Sequence, residues 1–285
     1  MSVFFTDTDC EMSYTDAESL GMKVIGMPYT LKGQEYVYDF GKNTDIKAFY
    51  AEMKAGEIVT TSALNSQDYL DYFEPVFAAG EDILYVHFSS ELSATFNHMQ
   101  VALNILKDKY PERKITLFDT KNISIGAGIQ VIEACKLHNS GATDEEVVEF
   151  LTEFRDKVKI YFYVDSLQYL KRGGRISAVS AAFGSMLNIK PILSVTKEGK
   201  LEKLTTVKGT KKALDYMYDK FIAEYNNNPK FEIFILDADN KEIADEFAEK
   251  VRNSGKDVNI RRIAIGPVVG AHSGPGTIGI VFVSA

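Results

Sequence analysis

The residues best placed to do chemistry in this chain are hydroxyls, and they come in clusters. Ser89, Ser90, Ser93 and Thr95 follow the apolar run Ile83–Phe88, and a helical pattern begins at Phe96. The run reads as a buried strand, so these hydroxyls fall at a strand-to-helix junction. They can cap the helix there, and they can also face a ligand. The free N–H groups and positive dipole end of a helix N-terminus suit a small anion. The pattern recurs. Thr60, Thr61 and Ser62 follow Glu57-Ile58-Val59 and precede Asn65, Ser66 and the periodic Tyr69, Phe73 and Val76. Asp119-Thr120-Lys121-Asn122-Ile123-Ser124 follows the strand-like Ile115–Phe118 and leads through Gly126 into a helix expected to reach His138. Ligands of open α/β sheets bind outside the carboxyl ends of strands, where these clusters should lie. Their recurrence in one half of the chain points to a shared cleft. None carries a group of Arg or Lys, which favours a single carboxylate over a multiply charged phosphate.

Of the histidines at 87, 98, 138 and 272, the first three fall on expected strands or helices and read as structural. His272 lies in Gly266-Pro267-Val268-Val269-Gly270-Ala271-His272-Ser273-Gly274-Pro275-Gly276, read here as a loop whose glycines and prolines aim one imidazole. It could serve as base to Ser93, or more simply donate a hydrogen bond to a bound carboxylate. Lys171-Arg172-Gly173-Gly174-Arg175-Ile176-Ser177 is the one concentrated basic segment, either a solvated turn or a place to hold an anion or dock an acidic partner. Gly274-Pro275-Gly276-Thr277-Ile278-Gly279 matches the dinucleotide pattern formally, but a strand follows it instead of a helix. Phosphate-binding loop, nucleophile-elbow and zinc-protease motifs are missing, and the histidines lack metal-ligand spacing. No metal, cofactor or catalytic group of the chain's own is expected.

Strand-like and helix-like runs alternate through the first half to position these groups. Strands are expected at Val3–Thr6, Lys23–Pro28, Ile83–Phe88 and Ile115–Phe118, with helices between, which predicts a mostly parallel sheet flanked by helices. Thr143 and Glu146 form a capping box for a helix carrying Val147, Leu151, Phe154 and Val158. Then the texture changes. A strand at Ile160–Val164, a helical turn at Asp165–Leu170 and a short helix at Ala178–Leu187 precede strands at Pro191–Val195 and Lys203–Val207. A helix from Thr210 to Tyr225, a strand at Phe231–Leu236, a helix capped by Asn240, and strands at Ile260–Ile265 and Ile278–Val283 complete the chain. The fold expected is α/β in two domains, residues 1–157 with the parallel sheet and 158–285 with a mixed sheet.

Composition sets the outer limits. The 285 residues are 45% hydrophobic and 25% charged, ordinary globular values, so no segment reads as disordered. A net charge of −8 argues against a nucleic-acid surface or an anionic membrane as partner. No apolar run is long enough for a membrane span, and the first residues, acidic after Phe5, do not read as a signal peptide. Cys10 and Cys135, read as a surface-loop thiol and a helix-core thiol, fit a reducing cytoplasm.

Six segments in register resemble the DegV family of bacterial fatty-acid-binding proteins, the acyl-carrying subunits of fatty acid kinase. They are TTSALNSQDY (60–69), HFSSELSATF (87–96), DTKNISIGAG (119–128), YLKRGGRIS (169–177), LNIKPIL (187–193) and GAHSGPGTIG (270–279). The resemblance implies two α/β domains with a long-chain fatty acid in a tunnel between them. It further implies that Thr61, Ser93 and His272 hold the carboxylate, with Ser62 and Ser90 beside them in the same clusters. A separate kinase catalytic subunit would then form an acyl phosphate, and Arg175 and Lys208 are the expected docking residues for that partner. The chain departs from the family where Asp7-Thr8-Asp9 replaces Asp-Ser-Thr, Ala94 replaces a glycine, and Lys208 replaces an arginine. Alternative readings are a Ser93/His272 acyl hydrolase or acyltransferase, and a lipid sensor with no enzyme partner.

Overall fold

The computed structural model describes residues 2–175 and 188–285. β1 (Val3–Asp7) passes through a tight turn at Thr8–Cys10 into α1 (Tyr14–Ser19), capped by Ser13 and Asp16, and then β2 (Lys23–Ile25). A hairpin, β3 (Pro28–Leu31) and β4 (Gln34–Val37), leads to α2 (Ile46–Lys54) and the two-residue β5 (Thr60–Thr61). α3 (Ser66–Ala78) enters β6 (Ile83–His87), and α4 (Thr95–Lys109) enters β7 (Ile115–Asp119). α5 (Ile125–Asn139) and α6 (Asp144–Arg155) follow, the latter opened by the expected Thr143–Glu146 box. Strands joined through helices return in the same direction, and the sheet they build, β2-β1-β6-β7, is wholly parallel.

The second half is a different kind of sheet. β8 (Val158–Tyr163), α7 (Leu167–Arg172), β9 (Ile189–Val195) and β10 (Leu201–Lys208) lead into α8 (Thr210–Glu224) and β11 (Ile233–Asp237). α9 (Lys241–Arg252), β12 (Ile260–Ala264), α10 (Pro267–Ser273) and β13 (Ile278–Val283) close the chain. The order is β10-β9-β8-β13-β11-β12, antiparallel except for β11 with β12. Alternate residues of these strands serve two cores. Tyr161, Tyr163, Ile278, Ile280 and Phe282 pack under α8 and α9. Ile160, Phe162, Val281 and Val283 face the first half and belong to the same continuous core as Phe4, Tyr85 and Leu151.

Several local expectations are corrected. Pro28 cannot donate to a ladder, so the run expected at Lys23–Pro28 breaks after Ile25 and Pro28 opens the hairpin. The cluster at Thr60–Ser62 does not follow a strand of the parallel sheet; Thr60 and Thr61 themselves pair with β3. Cys10 is fully buried, because the turn after β1 lies beneath α5 and is no surface loop. Asn240 stands at the cap position of α9, but its side chain accepts no hydrogen bond from the helix. The Gly266–Gly276 stretch contains α10, with Pro267 in its first turn. Gly270 is there for close approach, since a Cβ would meet the Tyr50 hydroxyl at 2.4 Å. The helix expected at Ala178–Leu187 and the end of the basic segment, Ile176 and Ser177, lie outside the described residues.

Candidate functional site

The carboxyl ends of the parallel strands point at the second half, and a cavity lies where the two meet. Asp9 follows β1, Met27 follows β2, Phe88 and Ser93 follow β6, and Ile123 follows β7. The opposite wall comes from Phe162 of β8, Leu170 of α7, Leu201 of β10 and Val268, Val269 and His272 of α10. Thr61 and Ser62 reach in from the hairpin sheet, because pairing of β5 with β3 carries them there. Most of the wall is apolar, and its polar groups are few: Asp9, Thr61, Ser62, Ser93, Arg175, His272 and Ser273. That is the composition of a pocket for a largely hydrocarbon ligand with one polar end.

Thr61 and His272, 211 residues apart in the chain, share a hydrogen bond of 2.8 Å between Oγ1 and Nε2. The other imidazole nitrogen, Nδ1, has no partner among the described residues, and neither do Ser273 Oγ or Asp9 Oδ1. Buried polar atoms are normally paired, so three unpaired ones on residues that line a single cavity set this wall apart from the rest of the core. Burial, with the nearby Arg175 charge in second place, holds the His272 pKa down to about 4, so the ring is neutral at neutral pH. Gly173, at the end of α7, fixes the ring's position: a Cβ there would lie 2.0 Å from Nδ1. Arg175 donates from Nε to Leu92 O at 3.0 Å and from Nη1 to Gly173 O. It thereby ties the tail of α7 to the turn that carries Ser93.

The other expected site residues divide. Ser93 lines the cavity while its Oγ accepts the Thr95 N–H at 3.2 Å. Ser62 lines it too, at the exposed margin, and donates to Glu35 at 3.3 Å. Ser90 turns away and donates to Asp119 at 2.6 Å. Ser89 and Thr95 are also spoken for, by Gly199 O and the Tyr69 hydroxyl. Arg175 belongs to the cavity wall and also to an adjoining outer pocket with Ser90, Glu91, Asn97 and Lys200. Lys208 is exposed at the end of β10 and lies outside the cavity lining. Sequence reasoning assigned no role to Asp9, Ser273 or Gly173. The position of Asp9 just beyond β1, at the same strand ends as the hydroxyl clusters, was the available signal.

The cavity lies at the strand ends of an α/β sheet, closed over by a second sheet, where folds of this class place their ligands. The profile of the family described as "Uncharacterised protein, DegV family" matches residues 3–285, and the chain belongs to that family. A DegV domain-containing protein of Clostridium perfringens is 35% identical over 280 residues, spanning 98% of this chain and 96% of its own. One of Lactococcus lactis is 34% identical over 283 residues, with the same coverage. Among solved structures, a fatty-acid-binding DegV family protein from Thermus thermophilus superposes with a TM-score of 0.86 at 27% identity, covering 99% of both chains. DegV of Bacillus subtilis, a fatty acid binding protein, gives 0.85 at 25% identity, again over 99% of both. The α/β fold, with its parallel and mixed sheets, is therefore the fold of that family.

Proposed function

We propose that this protein binds a long-chain fatty acid in the cavity between its two sheets and presents the carboxylate to a separate kinase subunit for acyl phosphate formation. The observation that carries the binding step is the apolar wall bearing a paired Thr61 and His272, three further hydroxyls (Ser62, Ser93 and Ser273) and one cation. Burying about 14 methylenes at ~0.8 kcal/mol each offers roughly 11 kcal/mol before the costs of association. The head-group contacts then orient the acid. With the proton on Nε2, His272 donates to Thr61 and leaves the Thr61 hydroxyl free to donate to the carboxylate. The opposite tautomer would spend that hydroxyl on the ring. Ser93 supplies a second hydroxyl, and Arg175 supplies the charge opposite the anion.

Arg175 also borders the outer pocket, so it is proposed to meet the partner as well as the ligand, with Lys208 a second docking residue on the exposed end of β10. A Ser93/His272 hydrolase is the weaker reading. The imidazole is hydrogen-bonded to Thr61, and among the described residues no carboxylate orients Nδ1. Native mass spectrometry of protein purified from bacteria should find long-chain fatty acid at a substantial fraction of one per chain. Protein that is ligand-free and also refuses added fatty acid would refute the reading. Ester turnover by the isolated chain would turn it toward the hydrolase, and dependence of acyl phosphate formation on an added kinase subunit tests the presentation step.

A further inference from the structure

We propose that Asp9 shares a proton with the bound head group, so that this cavity takes up its fatty acid together with one proton. The inference rests on the fatty-acid reading above and deepens it. Asp9 is held firmly: its N–H donates to Asp7 at 3.0 Å, and its C=O accepts the Ser124 N–H at 2.8 Å. The residue is only 7% exposed, yet it lines the cavity and its Oδ1 has no hydrogen-bond partner among the described residues. A buried carboxyl in the cavity wall with an unpaired oxygen lacks the partner that a bound head group could supply.

Charge decides its state. The groups facing Asp9 are Asp7, Cys10 and Glu11 from its own turn, Arg175 beyond α7, Tyr38 beyond β4, Tyr69 of α3 and the neutral His272 of α10. Arg175 is the one cation among them. It balances either an ionised Asp9 or an ionised ligand, but not both. Two carboxylates sharing one cation in a buried site cannot both stay ionised, and a single shared proton restores neutrality and supplies a charge-assisted hydrogen bond. Burial first, then the neighbouring Asp7 and Glu11, already hold the Asp9 pKa well above the ordinary carboxylate range, and an anionic ligand pushes it further. Nothing is oxidised or cleaved; at a pH where free Asp9 is ionised, one proton is taken from solvent on binding and returned on release.

The test is oleate binding, presented from cyclodextrin below its aggregation concentration, by wild type, Asp9→Asn and Asp9→Thr between about pH 6 and pH 9. Calorimetry in buffers of different ionisation enthalpy counts the protons. Wild type should take up about one proton per oleate wherever free Asp9 is ionised, with affinity falling up to about tenfold per pH unit there. Both variants should take up none and bind with little dependence on pH. The threonine variant guards against an asparagine variant that misfolds, and the oleate's own ionisation is common to all three proteins. Equal uptake in the variants would overturn the proposal and move the proton to His272. No uptake by wild type even at the alkaline end of that range overturns it as well. Failure of all three to bind oleate at any pH instead refutes the fatty-acid reading, and this proposal with it.

Discussion

Under the proposed function Thr61 is the residue on which the site turns, because its single hydroxyl, bonded to His272, would also meet the head group. Thr61→Ala and Ser93→Ala should each cost about 1–3 kcal/mol in fatty-acid binding, the range for hydrogen bonds to neutral and charged groups. Thermal unfolding of both should stay near wild type; a wild-type Kd in the double variant would remove these hydroxyls from the head-group site. Gly173→Ala makes a sharper test. Its new methyl must displace the His272 ring, so binding should fall as in His272→Ala although residue 173 has no side chain of its own to lose. Arg175→Ala should lower both fatty-acid affinity and kinase-dependent phosphorylation, because Arg175 borders the cavity and the outer pocket. Loss of phosphorylation alone would make it purely a docking residue.

At the scale of elements, Glu11 joins three of them. From the turn after β1 it accepts hydrogen bonds from the Ser124 hydroxyl at the start of α5 and from the Gly266 N–H at the start of α10. Burial outweighs both bonds and raises its pKa to about 8, and burial raises that of Asp7 to about 7. For an acid, a folded pKa above the unfolded one means full stability below the unfolded value and a loss as pH rises toward the folded value. Stability should therefore decline from about pH 4 to about pH 8, by an amount on the order of a few kcal/mol. Glu11→Gln keeps an acceptor for Gly266 and reverses the bond to Ser124, the amide donating to its hydroxyl. Urea unfolding should find its decline across that window smaller than that of wild type, and an unchanged slope would exonerate Glu11. Thr143→Ala, which opens the capping box of α6, should cost about 1 kcal/mol at any of these pH values.

At the scale of the whole molecule, the two halves share a core. One face of the mixed sheet packs under α8 and α9, but the other contributes Ile160, Phe162 and Val281 to the core of the parallel half. Polar ties cross as well: Tyr50 donates to Ile265 O at 2.9 Å, and Arg261 Nη1 reaches Asp16 at 2.9 Å. We propose that the division near residue 157 is one of topology and that neither half is autonomous. Residues 158–285 produced alone would expose an apolar sheet face and should aggregate or bind a hydrophobic dye. The full chain should melt in one transition, and two separate calorimetric transitions would contradict this.

Local chemistry wrote much of this fold into the sequence. Alternating apolar runs fixed the parallel strands, Thr143 and Glu146 fixed a helix start, and hydroxyls after β6 and β7 marked the strand ends where the cavity lies. These signals are short-range, set by side-chain period and backbone capping within a few residues. The hairpin at Pro28–Val37 lies where helices were expected, and the helix at Pro267–Ser273 was illegible because Pro and Gly there read as loop; β5 pairs with the former and Tyr50 packs against the latter. Hydroxyl clusters likewise could not say which members face inward. Ser90 was lost to Asp119 and Thr95 to Tyr69, while Thr61 was brought to His272 across 211 residues. Asp9 was visible as an acidic residue, but its burial in the cavity wall with an unpaired oxygen is a fact of packing. Hydrogen-bond partners distant in sequence are assigned by the assembled core, and that assignment the tertiary structure alone decided.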